Sequence, residues 1–180
     1  MYILDKNFKE IFLSQIVSII GGLITGTILV AYTEKLFLIP GLLILLPGFL
    51  EMRGNISGSF TSRLSSGLFL GVIKPNKIKT KIINGNLMAS FFLAIIISLT
   101  LGILAFLFNY LILKVVYVKI IFVPLIAGVI ANTIEIPLAL ATTFYLFKRG
   151  HDPNNIMGPF ITSTGDVTSI IALLVAITII

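Results

Sequence analysis

Residues 11–33 form a mostly apolar run with no charged side chain. A helix of that length covers about 35 Å at 1.5 Å per residue, enough to cross a hydrocarbon core about 30 Å thick. Lys6 and Lys9 before it resemble the charged start of a signal peptide. The run is too long for one and no small-residue cleavage site closes it, so it reads as a retained first span. Comparable runs predict further spans over about 84–110, 118–147 and 156–180. Pro124 and Pro137 should bend the fourth, and Pro153 and Pro159 should mark the start of the fifth, because proline is tolerated in a helix's first turn.

The stretch 36–73 is long for one helix and short for two with a turn between them, and the lysines decide between these readings. With a single crossing, Lys6, Lys9, Lys74, Lys77, Lys79, Lys81, Lys148 and Arg149 share one side, eight basic residues against Lys35, Lys114 and Lys119 opposite. Two crossings would destroy that asymmetry, which normally marks the cytoplasmic face. The expectation is one crossing interrupted near its middle by Pro47, Gly48, Gly54 and Gly58, a break tolerated only under protein or beside a water-filled cavity. The predicted fold class is therefore an all-α integral membrane protein of five transmembrane helices with its second span broken. Its N-terminus is inside, its C-terminus outside, and residues 1–180 form one domain of a multi-pass protein of the cell membrane.

Composition sharpens this reading mainly by exclusion. With 57% hydrophobic and only 11% charged residues, against about 25% charged in soluble domains, soluble, disordered and disulfide-scaffold classes drop out. The absence of cysteine removes thiolate metal sites. A net charge of +6 follows from the retained lysines and does not call for nucleic acid. The Lys74–Lys81 loop also suits anionic lipid head groups. The short tails leave no room for a soluble domain, so the activity is expected within the membrane.

A charge inside a span costs about 2.5–3.5 kcal/mol on insertion scales, which makes Glu51, Arg53, Arg63, Glu135 and Asp166 candidates for function. Asp166 lies ten residues after Ile156, about 15 Å into the fifth span. Pro159, Thr162, Asp166 and Ser169 follow at i, i+3, i+7 and i+10, with Gly165 beside them. This face offers a carboxylate, hydroxyls and the carbonyl that Pro159 leaves without a helical donor, the oxygen ligands a hard cation prefers. The residues alone leave open an Asp166 paired with Arg53 or Arg63, or simply protonated.

On the second span Asn55, Ser59, Ser62 and Ser66 form a similar stripe, suited either to close helix packing or to a polar path. Glu135, with Asn132 and Thr142 on its face, reads as a second ion ligand, a proton carrier or a partner for one of the arginines. Glu51 is structural or cavity-lining. His151 follows Lys148 and Arg149 in a short loop and is expected to be solvated.

Two stretches carry a resemblance. Gly54-Asn55-Ile56-Ser57-Gly58-Ser59-Phe60-Thr61-Ser62-Arg63-Leu64-Ser65, followed by Gly67 and Gly71, resembles the second-span motif of MgtE-type divalent cation transporters, and more closely that of their animal solute-carrier relatives. Asp152-Pro153-Asn154-Asn155-Ile156-Met157-Gly158-Pro159-Phe160-Ile161-Thr162-Ser163-Thr164-Gly165-Asp166 is similar to that family's approach to its fifth span.

The resemblance implies a pore between two five-span units, lined by spans two and five, with Asp166 binding Mg2+ near a two-fold axis and Asn55 on the same path. Asp166, Asn55, Thr162 and Glu135 are thus the expected metal ligands, and Ser59, Ser62, Pro159, Ser163, Gly165 and Ser169 the expected pore lining. A homodimer, or a pair with a paralogous half, is implied as well. The bacterial sensor region before the first span has no counterpart in the roughly ten residues here. The bacterial second-span glutamine is not evident, as serine and phenylalanine occupy the region. The expected function is transport of a divalent cation, Mg2+ first, with no enzymatic activity and no cofactor. Open alternatives are a Na+- or H+-coupled Mg2+ exchanger using Glu135 or Glu51, and a non-transporting membrane subunit. A lipid-modifying enzyme is disfavoured by the scatter of the acidic groups.

Overall fold

The computed structural model describes residues 5–180, and residues 1–4 lie outside it. Six α-helices follow in order: α1 Lys6–Ala31, α2 Thr33–Phe37, α3 Leu42–Phe69, α4 Lys81–Phe108, α5 Phe122–Lys148 and α6 Pro153–Ile179. A π turn, Asn109–Leu113, prolongs α4, and a 3-10 turn, Val118–Ile121, leads into α5. The helix starts are set by local chemistry. Asp5, Thr80 and Asp152 cap α1, α4 and α6, accepting from the backbone N–H of Phe8 at 2.8 Å, Ile83 at 3.3 Å and Asn154 at 2.8 Å.

Four helical stretches are long and apolar enough to cross a membrane: Lys6–Ala31, Lys81–Leu113, Val118–Lys148 and Pro153–Ile179. They extend several of the expected spans at one or both ends. α3 equals α4 in length at 28 residues, but Glu51, Arg53 and Arg63 keep it out of that apolar group.

The expected mid-span break does not occur, because α3 runs unbroken through Pro47, Gly48, Gly54 and Gly58. Pro47 falls in the second turn, where it forfeits one backbone bond. Gly48 packs on Leu101, and Gly54 and Gly58 face open space. The real interruption lies earlier, between α2 and α3. There Gly41 takes a left-handed conformation (φ 77°), and a Cβ would fall on the Asn109 amide. Asn109 is fully buried and donates to the Pro40 carbonyl at 2.7 Å, so the π turn closes this corner.

One proline also differs from expectation. Pro153 opens α6, but Pro159 lies inside that helix. Pro124 falls in the first turn of α5, where its missing N–H needs no partner, and the helix continues through Pro137.

The helices run the length of one bundle. At one end Lys6 Nζ donates to the Gly150 carbonyl, and Phe69 meets Phe147 edge-on at 5.2 Å. At the other, Asn109 reaches Pro40, and Lys119 Nζ donates to the Ile180 carbonyl at 2.7 Å. Lys6, Lys9, Lys74, Lys77, Lys79, Lys81, Lys148 and Arg149 thus gather at the first end, as a single passage of α3 through the bundle requires.

α6 packs against α1, α3 and α5, and α4 against α3 and α5. α1 buries Glu10, Ser14 and Thr25 and turns Ile16, Ile19, Ile20 and Leu23 outward. This inversion of the soluble pattern suits a helix whose outer face meets lipid.

His151 departs from the solvated reading. It is 45% exposed, and its Nδ1 lies 2.9 Å from the buried Glu10 carboxylate. Glu10 also accepts from Asn155 Nδ2 at 3.0 Å and the Asp152 N–H at 3.4 Å. The start of α1 is thereby tied to the start of α6.

Gly102 of α4 lies against the backbone of Ile121, and a Cβ would collide with that carbonyl oxygen. A backbone atom cannot rotate aside as a side chain can. Gly102→Ala is expected to lower the thermal midpoint in detergent, since overpacking of about 1–3 kcal/mol exceeds the roughly 1 kcal/mol that alanine gains in helix propensity. An unchanged or raised midpoint would refute the close approach.

Candidate ion-binding site

Arg53 sits on the inner face of α3 with Ser57 one turn later, and both are fully buried. Across from them α5 presents Glu135, also fully buried, whose Oε2 accepts from Arg53 Nη1 and from Ser57 Oγ, the latter at 2.9 Å. α6 completes the cluster. Its Gly165 leaves the space that the guanidinium fills, because a Cβ there would overlap Arg53. Its Asp166 places Oδ1 3.6 Å from Arg53 Nη2, an ion-pair distance longer than a hydrogen bond. The Asp166 side chain is 23% exposed, where those of Arg53 and Glu135 are 0%. With both carboxylates ionised, one guanidinium between them leaves a net charge of −1 per chain.

From Glu51 to Ser66 the outer face of α3 carries a polar stripe. Glu51, Asn55, Ser59, Ser62 and Ser66 are all exposed, and Asn55 Nδ2 donates to Glu51 Oε1 at 3.1 Å. Beside this stripe α6 exposes Asn154, Gly158 and Thr162. A cavity of about 170 Å³ lies between the two helices, lined by Gly58, Thr61 and Ser62 of α3 and by Asn154, Met157 and Gly158 of α6. Gly158, Thr162 and Asp166 recur every fourth residue, so the carboxylate lies two turns along the same face from this cavity.

The expected site residues therefore divide into two groups. Asn55, Ser59, Ser62 and Thr162 are exposed along the α3–α6 groove, Asp166 is half-buried beside Arg53 of α3, and Pro159 is half-buried. The remaining four turn inward. Glu135 is taken up by Arg53 and Ser57. Ser163 is buried against Gly21 of α1 and donates to the Phe160 carbonyl at 3.0 Å. Gly165 faces Arg53, and Ser169 is completely buried.

A helix turns about 100° per residue, so Ser163, one residue from the groove position Thr162, points elsewhere. The carbonyl freed by Pro159 is occupied as well: Ser14 Oγ of α1 donates to Asn155 O at 3.1 Å. Ser57 is the residue that reasoning from the sequence missed. Its one signal was its place four residues after Arg53, on the face of α3 opposite the Asn55 stripe.

The family model described as MgtE, divalent cation transporter, matches residues 46–176. Among curated proteins none matches the chain. The matched segment holds most of α3 and α6 and all of α5, and with them both the buried arginine cluster and the polar groove. A match over that much of the sequence means that this chain belongs to the MgtE family of divalent cation transporters.

Proposed function

We propose that two copies of this chain form a path for Mg2+ across the cell membrane, with α3 and α6 of each copy facing the two-fold axis. In this reading α3 is a fifth span, and the N-terminus and the Lys74–Lys81 loop are cytoplasmic. The observation that carries the proposal is the exposed polar stripe Glu51, Asn55, Ser59, Ser62 and Ser66 beside a partly exposed Asp166. An unsatisfied polar group facing hydrocarbon costs several kcal/mol, so such a stripe must be covered by protein or water. A second copy related by a two-fold axis supplies both, because the same groove then lines each side of one path.

Mg2+ gives up water reluctantly and usually keeps several waters. One Asp166 carboxylate from each copy, with the Asn55 amide and Thr162 hydroxyl nearby, suits an ion that passes mostly hydrated. The pairing follows from charge as well, since two chains each carrying −1 at this level match one divalent cation.

The test uses single cysteines in this cysteine-free chain. Cysteines at positions 59 and 62 are expected to cross-link between copies, and those at 19 and 23, on the outward face of α1, are not. A cysteine at position 78 should resist an impermeant reagent applied outside intact cells. Cross-linking confined to the α1 positions would overturn the pore placement, and labelling of position 78 from outside would overturn the orientation.

A further inference from the structure

Two carboxylates compete for the one buried guanidinium, and the geometry is unequal. Glu135 holds Arg53 through a direct hydrogen bond and is itself fixed by Ser57. Asp166 stands 3.6 Å away with no hydrogen bond to it. Arg53 Nη2 lacks a hydrogen-bond partner among the described residues although an acceptor lies beside it. Gly165 forms the wall against which the guanidinium rests.

We infer that Arg53 is a positioning residue for the transported ion: anchored on Glu135 and Ser57, it sets a fixed positive charge beside Asp166 without occupying that carboxylate, and Glu135 is its anchor rather than an ion ligand. This rests on the ion-path reading of Asp166. The consequence is a carboxylate that stays open to a cation yet binds it only moderately, because the guanidinium opposes the arriving charge. A site that holds its ion too firmly cannot release it, and conduction requires both steps. Should the anchor be lost, Nη2 needs only a small movement to close on Asp166 and block it.

The experiment measures Mg2+ flux into liposomes carrying the purified full chain. Glu135→Gln is expected to release Arg53 onto Asp166 and reduce flux about tenfold or more, the worth of one charge-assisted hydrogen bond. Adding Arg53→Gln removes the competitor and should restore flux. A double variant as inactive as the single one would overturn the inference, since that is the result for Glu135 as an ion ligand or for a merely structural pair.

Arg53→Lys keeps the pair with Glu135 and serves if Glu135→Gln does not fold. The shorter ammonium withdraws from Asp166, so the Mg2+ concentration giving half-maximal flux should fall, and an unchanged value would count against the role. Asp166→Asn in the same liposomes separates the two claims. Full flux there removes the ion path itself. Lost flux there, with Glu135→Gln fully active, removes only the role of Arg53.

Discussion

Asp166→Asn is expected to abolish most Mg2+ flux in liposomes while the protein folds normally. The side chain keeps its size and one oxygen but loses its charge. Arg53 remains paired with Glu135, so no buried charge is orphaned. The charge of the cluster changes from −1 to 0 in each chain, and a divalent cation at mid-depth then has no net counter-charge. Insertion scales put a charge at the centre of a membrane about 3 kcal/mol uphill, which corresponds to a loss of roughly two orders of magnitude. Asp166→Glu should be impaired but less so, because the added methylene in each copy shifts the carboxylates along the path without removing their charge. Unchanged flux in a well-folded Asp166→Asn protein would place the ion elsewhere.

The second large effect concerns folding, and its prediction is an asymmetry. Arg53→Met leaves Glu135 fully buried with only the Ser57 hydroxyl for company. Breaking a buried pair in this way costs about 3–5 kcal/mol. Glu135→Gln should cost less, because Arg53 retains an alternative carboxylate in Asp166, 3.6 Å away. Combining Arg53→Met with Glu135→Leu should recover most of the stability, since an apolar pair replaces an ionic one and nothing charged is stranded. Thermal unfolding in detergent reads all three variants. Equal losses in Arg53→Met and Glu135→Gln would mean that Asp166 offers the guanidinium nothing.

These two results concern groups whose importance was visible at different levels. Hydropathy is summed along a helix, so α1, α4, α5 and α6 could be recognised from their own residues. The charge count placed a single passage between Lys35 and Lys74, and α3 does run the full length of the bundle. Asp166 was legible because a carboxylate ten residues into an apolar run has no local reason to be there, and the motifs around it and around Asn55 pointed to the family.

Rotation about a helix axis and pairing between helices are not summed along the chain, and the tertiary structure alone decided them. Arg53 and Glu135 lie 82 residues apart, and nothing near either one says that Glu135 rather than Asp166 takes the guanidinium. Ser163 and Thr162 are equally polar neighbours, yet one faces α1 and the other the groove, because one step along a helix is about 100°. The glycines of α3 looked like a break, but packing carries a helix through glycine. The actual corner at Gly41 depends on Asn109, 69 residues from the Pro40 carbonyl it caps. The carbonyl left free by Pro159 and the ring of His151 each found a partner on α1, 141 residues away. Burial in an apolar medium demands that every such polar group be satisfied, but which group satisfies it is a property of the assembled bundle.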